Sequence, residues 1–200
     1  MYTLFPLLVA LTLWAYWRMI VGRRTQMLAL ILFVSLLGLF YTHYMALPLL
    51  TSLALFHLLF VPKNRRWFTV SLIVGLSGLL FLPWLQVAWQ ALGVVSSEGA
   101  RNFFANSPLS LLNNVLTQFS NGSVALLVIF GWYSLRHRSR STLLIVVLTL
   151  GTFALVILLN QRFQFISIAR YLSAVWPLLA LVVGLGVAHM QRDHLRPALL

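Results

Sequence analysis

Four short clusters of basic residues divide this 200-residue chain into long apolar runs. Eleven of its fourteen lysine and arginine residues lie in these clusters, which are Arg18/Arg23/Arg24, Lys63/Arg65/Arg66, Arg136/Arg138/Arg140 and Arg192/Arg196. The clusters recur after every second apolar run, as in a chain that crosses a bilayer repeatedly and keeps its positive residues in the cytoplasm. The pattern predicts an all-α fold, a polytopic transmembrane helical bundle.

The composition supports the same class of protein. The chain is 61% hydrophobic and 8% charged, whereas a soluble domain carries about 25% charged residues. A net charge of +12 could suggest a nucleic-acid partner, but basic patches that bind phosphate backbones lie on solvated faces. Here the charges separate lipid-length runs, so we expect membrane lipids and no nucleic acid as partners. The absence of cysteine excludes disulfides and thiolate metal sites.

A helix needs about 20 apolar residues to cross the ~30 Å hydrocarbon core. We predict about seven spans in one transmembrane domain over 1–200, at 2–20, 27–42, 44–61, 67–85, 123–135, 142–160 and 171–190. The fourth span is expected to close at Pro83, and 86–122 to form an outer loop with a surface helix over Leu109 to Phe119. This topology places eleven basic residues inside and three outside, and predicts a plasma (inner) membrane protein with a cytoplasmic C-terminus.

The same topology places Met1 on the outer side, although Met1 to Ala15 carries no basic residue that would begin a signal peptide. We therefore expect that further spans precede Met1.

Acidic and metal-binding chemistry is scarce in the sequence. Glu98 and Asp193 are the two acidic residues, and neither lies within a predicted span. This disfavours ion-coupled transport, which usually depends on intramembrane carboxylates. His57 lies near the inner end of the third span and has no evident partner. Because the histidines are divided between the two sides, we expect neither a metal site nor a cofactor in this chain.

Two clusters on the predicted outer side could carry function. Tyr41-Thr42-His43-Tyr44 could line a cavity or belong to an interfacial aromatic belt. Arg162 and Arg170-Tyr171 place positive charge on the outer side, where guanidinium groups could hold a lipid phosphate or reach to headgroups by snorkelling.

Four segments in this order carry a family resemblance: Met1 to Leu4, Gly38 to Tyr44, Phe81 to Leu85, and Ala169 to Leu172 with Pro177. The chain resembles bacterial GT-C glycosyltransferases, in the family-39 group related to dolichyl-phosphate-mannose–protein mannosyltransferases. The resemblance covers almost all 200 residues. It implies a membrane enzyme of the cell envelope that transfers a sugar from a polyprenyl-phosphate donor to a hydroxyl acceptor at the outer face.

The resemblance also implies roles for particular residues. Arg170 and Tyr171, with Arg162 as a weaker helper, become candidates for binding the donor phosphate. Tyr41, His43 and Tyr44 become candidate walls of the cavity, and the loop with Glu98 and Arg101 would shape access of the acceptor.

In such enzymes a carboxylate in the first outer loop is the catalytic base or helps to bind a divalent metal. That loop precedes the part of the family that this chain resembles, so we expect the C-terminal portion of a GT-C enzyme, with no catalytic residue in this chain and no sugar transfer by it alone. Two alternatives stay open. One is a non-enzymatic membrane component, such as a transporter or flippase subunit or an assembly factor, and the other is an inactive remnant.

Overall fold

The computed structural model describes residues 3–22, 25–43, 45–97, 107–136, 139–163 and 173–195. Within these ranges the chain forms helices and no strand. The eight α-helices are α1 Leu4–Val21, α2 Gln26–Thr42, α3 Ala46–Phe60, α4 Arg65–Ser97, α5 Pro108–Phe119, α6 Val124–Arg136, α7 Arg140–Phe163 and α8 Trp176–Leu195. A short 3₁₀ turn at 173–175 leads into α8. Each of the seven predicted spans overlaps one of these helices.

The lengths and hydropathies of the helices are those of a multi-pass membrane protein. Within the described ranges, four segments are long and apolar enough to cross a membrane: Leu4–Val21, Arg65–Val87, Arg140–Leu159 and Ser173–Met190. Residues Leu112–Phe119 and Val124–Arg136 would form a fifth if a pair bent by 93° counts as one span. The remaining apolar helices, α2 and α3, have 17 and 15 residues.

Contacts between side chains show how the helix ends align. The hydroxyl of Thr12 in α1 donates to Ser35 Oγ in α2 at 2.9 Å, near the middle of both helices. Arg66, in the first turn of α4, donates from Nη1 to the carbonyl oxygens of Ile20 and Val21 at 3.2 and 3.1 Å. The last turn of α1 and the first turn of α4 therefore meet at one end of the bundle, which we call the basic end; we call the other the far end.

Small residues allow two helix pairs to approach closely. A Cβ atom on Gly151 of α7 would lie 2.8 Å from Ser52 Oγ of α3. A Cβ atom on Gly186 of α8 would lie 2.7 Å from the carbonyl carbon of Phe130 in α6. Such approaches are typical of helix packing in membranes, where small residues bring backbones together.

Polar side chains cap the N-termini of several helices. Thr25 Oγ1 accepts from the Leu28 amide at 3.1 Å, and Ser107 Oγ accepts from the Ser110 amide at 3.2 Å. Asn64 Oδ1 accepts from the amides of Arg66 and Trp67 at 2.9 and 3.2 Å. These bonds satisfy amide groups that have no partner within a helix.

The prediction that the fourth span closes at Pro83 does not describe the helix, because α4 continues through Pro83 to Ser97. The outer loop predicted at 86–122 therefore begins with 12 helical residues. A proline inside a helix removes one amide donor and crowds the preceding turn. The carbonyl oxygen that loses its donor is that of Leu79, and the hydroxyl of Tyr41 donates to the neighbouring carbonyl oxygen of Leu80 at 2.8 Å. The surface helix predicted from Leu109 to Phe119 corresponds to α5.

Candidate functional site

Aromatic rings from α2 and α4 meet at the far end and form what we call the corner cluster. Phe40 stacks on Phe81 with ring centroids 5.1 Å apart, and Tyr41 meets Phe81 edge to face at 5.6 Å. The ring centroids of Tyr41 and Trp84 are 6.2 Å apart. Because aromatic pairs prefer offset and edge-to-face geometries, these contacts fix the end of α2 against α4.

Trp84 and Tyr41 leave part of the corner cluster accessible. The side chain of Tyr41 is 51% exposed and that of Trp84 is 49% exposed, while Phe81 is buried. The hydroxyl of Tyr41 is engaged by Leu80, so what Tyr41 offers to a ligand is the ring. The arrangement can therefore bind flat apolar surfaces, such as a sugar face or a prenyl chain, and it is equally compatible with an interfacial aromatic belt.

His43 belongs to the turn between α2 and α3. Its ring lies 5.6 Å from that of Phe5 in α1, and its Nδ1 accepts from the Met45 amide at 3.1 Å. The carbonyl oxygen of His43 accepts from the Ala46 amide at 2.9 Å. Burial lowers the pKa of His43 from its usual value, because a charged imidazole loses solvation there. His43 is therefore neutral at pH 7 and shapes this turn.

The corner cluster lies below the end of the apolar part of α4. Phe81 is 16 residues past the start of α4 at Arg65, which is about 24 Å at ~1.5 Å per residue. The apolar segment of α4 continues to Val87, about 9 Å farther. The corner cluster therefore packs against the apolar segment of α4 and not against its end.

The structure describes few of the residues predicted to bind substrate. Tyr41 and His43 are placed in the corner cluster and the adjoining turn. Arg162 belongs to the last turn of α7. The remaining predicted site residues, Tyr44, Glu98, Arg101, Arg170 and Tyr171, lie outside the described residues.

A second polar cluster, which sequence reasoning missed, surrounds His57 near the basic end. The sequence shows no evident partner for His57, but the structure places Tyr16 Oη 3.1 Å from its Nδ1. On the other side of the ring, Nε2 lies 3.2 Å from both the Trp67 carbonyl oxygen and Ser71 Oγ. The indole of Trp67 stacks on the imidazole at 5.3 Å and donates from Nε1 to the His57 carbonyl oxygen at 3.0 Å.

The His57 cluster joins three helices rather than forming an open site. Tyr16 and His57 are buried, and each ring nitrogen of His57 has a neighbour with which it can form a hydrogen bond. In sequence, the signal was a histidine in an apolar helix with a tryptophan ten residues later. Among the described residues, no three His, Asp or Glu side chains lie close enough to hold a metal ion.

Comparison with known proteins gives no match: no family model fits the chain, and neither a curated protein nor a solved structure is significantly similar to it. The resemblance to GT-C glycosyltransferases therefore stays a prediction from the sequence segments.

Proposed function

We propose that this chain is part of a membrane-embedded GT-C-type glycosyltransferase, which transfers a sugar from a polyprenyl-phosphate-linked donor to a hydroxyl acceptor at the outer face. The observation that carries the proposal is the corner cluster. Two of the segments on which the resemblance rests, Gly38 to Tyr44 and Phe81 to Leu85, are far apart in sequence and pack together through Tyr41, Phe81 and Trp84. A shared location for two such segments supports a common role.

The proposed topology has seven spans and a cytoplasmic C-terminus in the plasma membrane. It takes the basic end as cytoplasmic, because positive residues concentrate on that side. In this topology α2 and α3 cross the membrane despite lengths of only about 26 and 23 Å, since their connecting turn at His43 lies below the outer surface.

The proposed roles follow the chemistry of transfer. The bond between the sugar carbon and the phosphate oxygen breaks, the acceptor oxygen bonds to that carbon, and the acceptor proton passes to a base. Arg170, with Tyr171 and Arg162, would stabilise the charge that develops on the leaving phosphate. Tyr41, His43 and Tyr44 would border the cavity, and the segment of Glu98 and Arg101 the acceptor side. The base is expected from outside this chain.

Binding of undecaprenyl phosphate to the purified chain in nanodiscs tests the proposal. We expect saturable binding that weakens about tenfold or more in Arg170→Ala, because charge-assisted hydrogen bonds to phosphate contribute about 1.5–3 kcal/mol. Arg140→Ala removes the same charge at the basic end and should leave binding unchanged.

Equal affinities in the two variants would contradict the Arg170 assignment. Movement of lipid across proteoliposomes without sugar transfer, in the full-length protein, would favour the transporter or flippase alternative instead.

A further inference from the structure

Helix α5 has one face in the protein core and one face that is polar and accessible. Val115 is fully buried, and Leu112, Leu116 and Phe119 pack against the core. The opposite face carries four exposed polar side chains, those of Asn113, Asn114, Thr117 and Gln118. No hydrogen bond to another described residue holds these four side chains. The burial of Val115 therefore fixes which way α5 faces and directs its polar groups away from the core.

A tight turn sets the direction of α5 relative to α6. Asn121 and Gly122 both adopt positive φ angles, 48° and 86°, a conformation that these two residue types tolerate better than others. The Gly122 amide donates to the Thr117 carbonyl oxygen at 2.9 Å. The two helices are bent by 93° at this turn, so α5 lies roughly parallel to the membrane plane if α6 is upright.

The length of α6 sets the depth of α5. Helix α6 has 13 residues and is about 20 Å long, against a hydrocarbon core of ~30 Å. Helix α6 ends at Arg136 and α7 begins at Arg140, and both residues belong to the same basic cluster of the sequence. The backbone of Phe130 in α6 lies close to Gly186 of α8. With Arg136 at the cytoplasmic surface, the Val124 end of α6 stops about 10 Å short of the outer surface.

Four exposed amide and hydroxyl groups at that depth need hydrogen-bond partners, because unsatisfied polar groups are costly in hydrocarbon. Water must therefore reach α5 from the outer side. We propose that the polar face of α5 is the floor of a water-filled recess in the outer half of the membrane, and that it binds the sugar of a lipid-linked donor.

The choice of ligand follows from the chemistry of this floor. The segment from Ser107 to Ser123 contains no Asp, Glu, Lys or Arg, so it offers no charge to a phosphate or an ion. Amides and hydroxyls donate and accept hydrogen bonds, which matches the uncharged hydroxyl groups of a sugar. A recess at hydrocarbon depth favours a sugar delivered on a lipid. This identity of the ligand rests on the proposed function, whereas the recess rests on the proposed topology alone.

The absence of cysteine from the chain makes the recess directly testable. Single cysteines at Asn114 and Thr117, in the full chain in liposomes, are treated with a charged, membrane-impermeant maleimide. Leu126→Cys is the control, because Leu126 in α6 is similarly exposed at 53% but faces lipid in this topology. We expect the two α5 thiols to react at least about tenfold faster, since the reactive thiolate forms only in water. Rates as slow as that of Leu126→Cys would overturn the recess.

Protection by ligand tests the sugar subsite. Undecaprenyl phosphate carrying a hexose should slow labelling of the α5 cysteines several-fold, and undecaprenyl phosphate without the sugar should not. Equal protection by both lipids would overturn the sugar assignment. No protection by the sugar lipid, in a chain that still binds undecaprenyl phosphate through Arg170, would overturn the α5 subsite and leave the proposed function intact. If Arg170→Ala binds undecaprenyl phosphate as well as the unaltered chain does, and the sugar lipid still protects the α5 cysteines, only the donor-phosphate assignment is overturned.

Discussion

The hydroxyl of Tyr16 and Nδ1 of His57 are 3.1 Å apart and connect α1 to α3 in the buried part of the bundle. The Trp67 carbonyl oxygen can only accept, so Nε2 of His57 carries the proton that is donated to it at 3.2 Å. Nδ1 is then the acceptor, and the Tyr16 hydroxyl donates to it. For a neutral imidazole the contacts thus select one tautomer, and they tie together α1, α3 and α4.

Loss of the Tyr16 hydroxyl is expected to destabilise the bundle. Tyr16→Phe leaves Nδ1 of His57 buried without a donor, which should lower the free energy of unfolding by about 1–3 kcal/mol. Thermal unfolding in detergent measures the effect. Tyr133→Phe serves as the control, because no other described residue bonds to that hydroxyl, and it should leave the unfolding temperature almost unchanged.

A double variant separates this bond from general effects of the substitution. In a His57→Leu background there is no Nδ1 to leave unsatisfied, so adding Tyr16→Phe should cost little further stability. A cost that is the same in both backgrounds would mean that the hydroxyl does not act through His57.

The ring and the hydroxyl of Tyr41 are predicted to have different roles. Tyr41→Phe removes the donor to Leu80 beside Pro83 and should lower stability by about 1 kcal/mol, while binding of an undecaprenyl-phosphate hexose is retained. Tyr41→Ala removes the ring from the corner cluster and should weaken binding by about tenfold, since an aromatic contact contributes roughly 0.5–1.5 kcal/mol beyond its buried area.

Phe68→Ala is the matched control for Tyr41→Ala, because Phe68 is a similarly exposed aromatic residue of α4 near the basic end. If both alanine variants bind equally well, the corner cluster is an interfacial belt and not a cavity wall.

The positions of the helices were predictable because length and hydropathy are local properties of the chain. The partners of His57 were not, since Tyr16 lies 41 residues away in sequence and nothing local indicates that α1 and α3 meet. The length of helix α4 was not predictable either, because it continues past the predicted end of the fourth span to Ser97. Proline ends many helices, but Pro83 lies inside α4.

The candidate site was predictable in part for the same reason. Tyr41 and His43 stood out as polar and aromatic residues at the end of an apolar run. Their contacts with Phe81, Trp84 and Phe5 depend on tertiary packing, and a single sequence carries no signal for which runs become neighbours.

Two nearby glycines of α8 should respond in opposite ways to the same substitution. A Cβ atom on Gly186 would lie 2.7 Å from the carbonyl carbon of Phe130, whereas one on Gly184 would meet nothing within 4 Å. Gly186→Ala should therefore separate α6 from α8 and destabilise the protein by about 1–3 kcal/mol. Gly184→Ala should be neutral or stabilising by up to about 1 kcal/mol, because alanine favours a helix. Equal unfolding temperatures for the two variants would contradict the close approach of α6 and α8.

The turn at His43 is expected to make stability depend on pH. Because burial lowers the pKa of His43, the unfolded chain binds this proton more readily, and stability should rise with pH between the lowered pKa and the usual ~6.5. As the pH falls through that window, protonation of Nδ1 removes the acceptor for the Met45 amide, and stability is lost.

Substitution at position 43 separates the proton from the hydrogen bond. An asparagine side chain can accept from the amide two residues later, so His43→Asn should retain stability at pH 8 and lose this part of the pH dependence. His43→Ala removes the acceptor and should be less stable at every pH. Unfolding temperatures measured from pH 5 to 8 (about one and a half units on either side of the ordinary histidine pKa) distinguish the three proteins. A pH dependence in His43→Asn equal to that of the unaltered chain would assign the effect to another group.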